Sequence, residues 1–158
     1  MEININSLYN KEIAESISLL EEFIIDINNE LAERNVYTKW QKIGDIDGYY
    51  FSIVNPSNKK QEISFGIWNE LWVKTACPLA LIFEFNNNSN LFIFDTLNTF
   101  LKDNNLNNLK VYEFEESVSL LFYEEYLLET KYIQDLVNLI IELTLLFDFK
   151  IDVIKKKW

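Results

Sequence analysis

Three β-rich runs between Tyr49 and Phe85, separated only by turn-length gaps, constrain this chain more than any other feature. They read YYFSIVN, QEISFGIWNELW and PLALIFEF. Gaps that short leave consecutive strands to pair as an antiparallel meander, because a parallel crossover needs a dozen or more residues. Asn55-Pro56-Ser57-Asn58 marks the first turn, where proline presets φ and asparagine tolerates tight geometry. Strand one is expected over about Tyr49–Asn55 and strand two over about Gln61–Trp68. In strand two Ile63, Phe65 and Ile67 fall on one face, and Glu62, Ser64, Gly66 and Trp68 on the other. Trp68, Leu71 and Trp72 then carry helical spacing, which predicts a helical turn before Cys77-Pro78 restarts extended structure. Strand three, Leu79–Phe85, is apolar on both faces and belongs in the centre of the sheet.

The flanking segments supply what covers that sheet. From about Leu8 to Glu33, Ile13, Ile17, Leu20, Ile24, Ile27 and Leu31 recur at three- and four-residue steps and make one apolar helix face. Asn35–Gly48 reads as a connector holding Trp40 and the Gly44-Asp45-Ile46-Asp47-Gly48 turn, which lacks the further ligands of a calcium loop. A second helix is expected over about Leu91–Lys102, although LFIF at its start equally extends a strand. Val111–Glu115 and Val118–Glu124 read as a hairpin around Glu116-Ser117, with Glu113 and Glu115 on one face and Tyr112 and Phe114 on the other. The last helix spans about Thr130–Phe147, with Ile133, Leu136, Val137, Ile140, Ile141 and Leu145 available to the core. The order α-β-β-β-α-β-β-α predicts one α+β domain over residues 1–158, its helices packed on an antiparallel or mixed sheet. A chain of 158 residues with 49% apolar side chains can bury the core this requires.

Several chemistries are closed to the chain. It has no histidine, which removes the commonest general base, the Ser–His and Cys–His nucleophile pairs and the usual zinc sites. No Gly-rich phosphate loop or G-x-S-x-G elbow occurs. Cys77 is the single cysteine, so no internal disulfide forms, and a buried structural thiol is expected. The spacing D/E-x-K occurs at Glu129-Thr130-Lys131 and Asp148-Phe149-Lys150, no more often than chance allows and off the meander. On strand three the corresponding triplet is Glu84-Phe85-Asn86, without the lysine, and strand two offers no aspartate beside it. No catalytic, cofactor-binding or metal-ligating residue is assigned, and no cofactor is expected.

Charge is the feature that points to a partner. The net charge of −11 comes mainly from residues 1–33, with eight acids against Lys11, and from residues 111–136, with seven against Lys131. Nucleic acid is excluded as an expected partner, because phosphate binding needs a Lys/Arg surface. The one basic run is Lys155-Lys156-Lys157. No stretch of about 18 uncharged apolar residues predicts a membrane span. The opening MEININSLYNKE lacks the basic-then-apolar order of a signal peptide, so a cytoplasmic protein is expected. A single arginine, Arg34, among 14 basic residues, with abundant Asn and Ile, suggests an AT-rich bacterial or phage coding source.

The run YYFSI…ISFGIWNELW…PLALIFEF, about residues 49–85, resembles segments of uncharacterised bacterial domains associated with PD-(D/E)XK, restriction-like nucleases. The resemblance rests on aromatic and glycine placement. It implies a role in phage–host conflict and carries no site residue over, because the family's acidic and lysine positions have no counterpart here. The expectation is a non-enzymatic acidic domain of inhibitor, immunity, antitoxin or anti-defence type that binds a basic nucleic-acid-handling protein. Electrostatic steering would speed that encounter. The candidate contacts are Glu12, Glu15, Glu22 and Asp26 on the first helix and Glu113, Glu115, Glu124 and Glu125 on the hairpin. Trp68 and Trp72 are candidate aromatic anchors. The alternatives are a structural or regulatory subunit of a bacterial or phage-defence complex, or a degenerate restriction-like nuclease domain.

Overall fold

Side-chain alternation sorts the meander into two unlike faces, and the rest of the chain covers the more apolar one. The computed structural model describes residues 11–40, 48–85, 89–114, 117–122 and 133–149, with side chains described from Ser18 onward except that of Phe114. In chain order these form α1 (Lys11–Glu33), β1 (Lys39–Trp40), β2 (Gly48–Asn55), β3 (Asn58–Trp68) and α2 (Asn69–Thr75). There follow β4 (Leu79–Phe85), α3 (Asn90–Asp103), β5 (Leu109–Phe114), β6 (Ser117–Phe122) and α4 (Ile133–Leu146). The element order is the expected one, with two additions. The connector contributes the two-residue strand β1, and the helical spacing around Leu71 becomes α2.

The strands form one antiparallel sheet in the order β1-β2-β3-β4-β6-β5. β6 inserts between β4 and β5, so α3 carries the chain past one strand position, and β4 is flanked by strands on both sides. One row of register partners crosses the whole sheet: Trp40, Phe51, Phe65, Leu81, Leu120 and Val111. Above and below it on the same face lie Ile53, Ile63 and Phe83, and Ile67, Leu79 and Phe122, all buried. The aromatic members meet at tilted or edge-on angles, with ring centroids 5.5 Å apart for Trp40–Phe51 and 5.8 Å for Phe51–Phe65. That is the geometry ring quadrupoles favour.

Three helices close over this face. α1 lies over β2 and against α4, burying Ile24, Ile27 and Leu31, while α3 lies over β5 and β6 through Ile93, Leu97 and Leu101. α4 buries Leu136, Val137, Ile140, Ile141 and Leu143, and the chain after it sets Phe147 on Phe83 and Phe85. The ambiguity at LFIF resolves as helix because Ser89, in extended conformation, accepts a hydrogen bond from the Phe92 amide at 3.2 Å and caps α3.

These three helices stop in the same way. Asn35, Asn105 and Asp148 adopt left-handed φ of 63°, 53° and 61°. The amide of the next residue then bonds back to the final turn: Val36 to Leu31, Leu106 to Leu101, and Phe149 to Thr144. In a chain with only 3 glycines, Asn and Asp take the left-handed position, and the following apolar residue returns to the core. Asn138, which interrupts the apolar run of α4, accepts a hydrogen bond from the buried guanidinium of Arg34. Burial lowers the Arg34 pKa, opposed by the nearby Glu30 charge. The chain's single arginine thus ties the end of α1 to α4.

On the opposite face Gly66 leaves no room for a side chain. A Cβ there would lie 2.2 Å from the Tyr49 carbonyl oxygen and 2.6 Å from Tyr50 Cβ. Beside it, on the same face, Tyr50 stacks on Trp68 with centroids 4.6 Å apart. Gly66→Ala is therefore expected to cost about 1–3 kcal/mol through overpacking against backbone. Urea unfolding would show this as a lower midpoint with an unchanged slope.

Candidate functional site

The described carboxylates of the two acidic blocks lie on separate parts of the molecule. In α1 the apolar stripe Ile24, Ile27 and Leu31 faces the sheet, which turns Glu22 and Asp26 to solvent. Leu19 (66% exposed) and Ile25 (37%) lie on the same outward surface. Glu33 is exposed further along, so the surface from Leu19 to Glu33 runs about 21 Å at ~1.5 Å per residue. Residues 12–33 contain no lysine or arginine. The side chains of Glu12 and Glu15 lie outside the described residues, as do those of Ile13 and Ile17.

Of the second block only Glu113 is described, and it is exposed on β5 at the far edge of the sheet. Glu115, Glu124 and Glu125 lie outside the described residues. β5 and β2 are four strand positions apart, or roughly 19 Å at ~4.8 Å per strand. Glu113 and the α1 carboxylates therefore do not converge.

Trp68 and Trp72 also part company. Trp68 ends β3 on the face of Tyr50 and packs with the small cluster of Leu71, Cys77, Ala80, Ile82 and Leu121. Trp72, one helical turn later, packs against the main core on the other side of the sheet. Both are half-buried, and they do not form one aromatic surface. Cys77 is buried, as expected, with its amide donating to Thr75 Oγ1 at 3.2 Å.

The face bearing Tyr50 holds a constellation that sequence reasoning missed. Glu62 on β3 is the register partner of Glu84 on β4, so two carboxylates stand side by side. The next row along the same face is Ser52, Ser64, Ile82, Ser119 and Tyr112. Ser52 and Ser64 share a hydrogen bond of 2.7 Å. Ser119 is buried, and its hydroxyl has no hydrogen-bond partner among the described residues. Partial burial and then the Glu62 charge raise the Glu84 pKa. Strand two carries a glutamate here and not an aspartate, and only the register puts it opposite Glu84. Such a pair can share a proton or attract a cation. Among the described residues no group of three or more His, Cys, Asp or Glu is placed to hold a metal ion.

Comparison with known protein families, with curated proteins and with solved structures finds no match to this chain. Among the described residues no helix is long and apolar enough to cross a membrane.

The carboxylate pair makes stability depend on pH in a defined direction. Folding raises the Glu84 pKa above the usual 4.5, so the folded chain holds that proton more tightly than the unfolded one. Ionisation therefore costs stability, beginning as pH rises through the ordinary carboxylate range and complete above the raised value. Glu84→Gln is expected to stabilise the protein at pH 7 by up to about 1 kcal/mol, the scale of like charges facing across strands. The difference should vanish as pH falls below the ordinary carboxylate range, where Glu84 is protonated in both the folded and the unfolded chain. Denaturant midpoints of the two proteins across that range would test it, and an equal offset at every pH would rule out the electrostatic cause.

Proposed function

We propose that this chain is a non-enzymatic binding domain, acting in the cytoplasm, that docks on the basic surface of a nucleic-acid-handling protein. In class it is an inhibitor, immunity, antitoxin or anti-defence type protein. The observation that carries this reading is the outward surface of α1, where Glu22 and Asp26 flank exposed Leu19 and Ile25 in a stretch, residues 12–33, that holds no lysine or arginine. Acids around a small apolar patch suit a basic partner: the charges orient the encounter, and the apolar side chains supply area that is removed from water. The resemblance of residues 49–85 to nuclease-associated bacterial domains points the same way. Glu84-Phe85-Asn86 has no lysine for restriction-type chemistry, which keeps the degenerate nuclease reading in second place.

The reading is tested by pull-down from bacterial lysate with the natural chain and with Glu22→Lys/Asp26→Lys. A basic protein should be recovered at low salt and depleted near ~0.5 M, where charges are screened within a few ångströms. Once that partner is purified, the double variant should associate at least about tenfold more slowly, because steering acts mainly on the on-rate. Recovery of one partner at both salts, equally by both proteins, would instead indicate an apolar subunit interface.

A further inference from the structure

The outer surface of α3 is apolar at its start and acidic further on, and α4 completes a groove beside it. Leu91 and Phe92 are 68% and 52% exposed in the first turn of α3. At helical steps from Phe92 follow Thr96, Thr99 and Asp103, with Asp95 and Phe100 alongside. Together with Leu146 from the last turn of α4, the residues from Asp95 to Asn104 on this side line an open groove of about 360 Å³. Much of its hydrogen-bonding capacity is already used. The Thr96 hydroxyl donates to the Phe92 carbonyl at 2.7 Å, and the Asn104 side-chain Nδ2 donates to the Phe100 carbonyl at 2.9 Å. Phe100 and Leu146 then supply the apolar lining, with a carboxylate toward each end. Asp95 and Asp103 are eight residues apart, or about 12 Å along the helix. Lys102, the one basic residue of α3, does not line the groove.

We infer that this groove receives an apolar side chain from a basic partner segment whose lysines or arginines flank that side chain about four residues away on either side. The inference rests on the reading of the chain as an acidic binding domain, and adds a second contact remote from α1. A partner helix presenting i−4, i and i+4 would set its two cations about 12 Å apart, matching Asp95 and Asp103. Neither half of that pattern suffices. Exposed ion pairs alone contribute little, and the groove is too open to hold an apolar residue without them. A second copy is disfavoured because it brings the same two aspartates and a net charge of −11 to the contact. Nucleic acid is disfavoured because its phosphates would meet Asp95 and Asp103.

The test is an NMR titration of the full-length ¹⁵N-labelled chain. The probe is a capped helical peptide with one leucine and a lysine four residues to each side. Amides around Thr96, Thr99 and Leu146 should shift. Asp95→Asn/Asp103→Asn should weaken binding about 2- to 30-fold, the sum expected of two exposed pairs. Leu146→Glu should abolish the shifts, while Glu22→Lys/Asp26→Lys should leave them unchanged. Equal binding of a peptide with glutamates in place of the lysines would overturn the proposal. Shifts confined to α1 would also overturn it, while leaving the basic-partner reading standing. Two further results would assign the groove to another occupant and so overturn it. One is concentration-dependent dimerisation that Leu146→Glu removes. The other is tighter peptide binding in full-length chain carrying Lys155→Ala, Lys156→Ala and Lys157→Ala, which would show the chain's own lysines competing for the site.

Discussion

The row Trp40, Phe51, Phe65, Leu81, Leu120 and Val111 is the interaction on which the rest of the structure depends. It joins every strand of the sheet through directly opposed apolar side chains. Each large side chain fully buried there contributes about 1.5–3 kcal/mol by leaving water. Its register leaves little freedom. A slip of one residue would turn the whole row to the other face and bring Ser52, Ser64 and Ser119 under the helices. The helices follow from the row, since α1, α3 and α4 each bury an apolar stripe against it or against one another.

This division of faces also decides where polar chemistry can sit. Gly66 and Ala80 keep one row of the second face small, which lets Tyr50 and Trp68 lie flat against the strands. The neighbouring rows then carry serines and the Glu62–Glu84 pair, two like charges facing across strands. A carboxylate pair maintained at a cost to stability is the kind of local conflict that functional positions show. With no third acidic ligand beside the two carboxylates among the described residues, the pair stands as a charge feature of the surface.

For binding, the fold distributes acidity instead of concentrating it. α1 covers the β2 end of the sheet and α3 covers the β5–β6 end, so their outward surfaces are far apart. Each combines exposed apolar side chains with carboxylates: Leu19 and Ile25 with Glu22 and Asp26, and Leu91, Phe92 and Leu146 with Asp95 and Asp103. A partner that engaged both would gain from linked contacts, each weak by itself.

The sequence by itself determined most of the local elements and the inward faces of α1 and β3; in α4 it also counted Leu145 inward, which the structure leaves 46% exposed. The 3- and 4-step recurrence of Leu20, Ile24, Ile27 and Leu31 marks the buried side of α1, and alternation in β3 separates Ile63, Phe65 and Ile67 from Glu62 and Ser64. The turn residues set the meander, and the apolar run Leu79–Phe83 of β4 marks an interior strand. These features rest on periodicities of 3.6 and 2, which neighbouring residues alone reveal. Only the tertiary structure decided that β6 enters between β4 and β5, that Glu62 stands beside Glu84, and that Trp68 and Trp72 fall into different clusters. It alone joined Arg34 to Asn138, 104 residues away, and brought Leu146 beside α3. The physical reason is that register and helix docking are chosen by the burial of the whole core at once. Residues far apart in the chain, with no local pattern between them, become neighbours only when that choice is made.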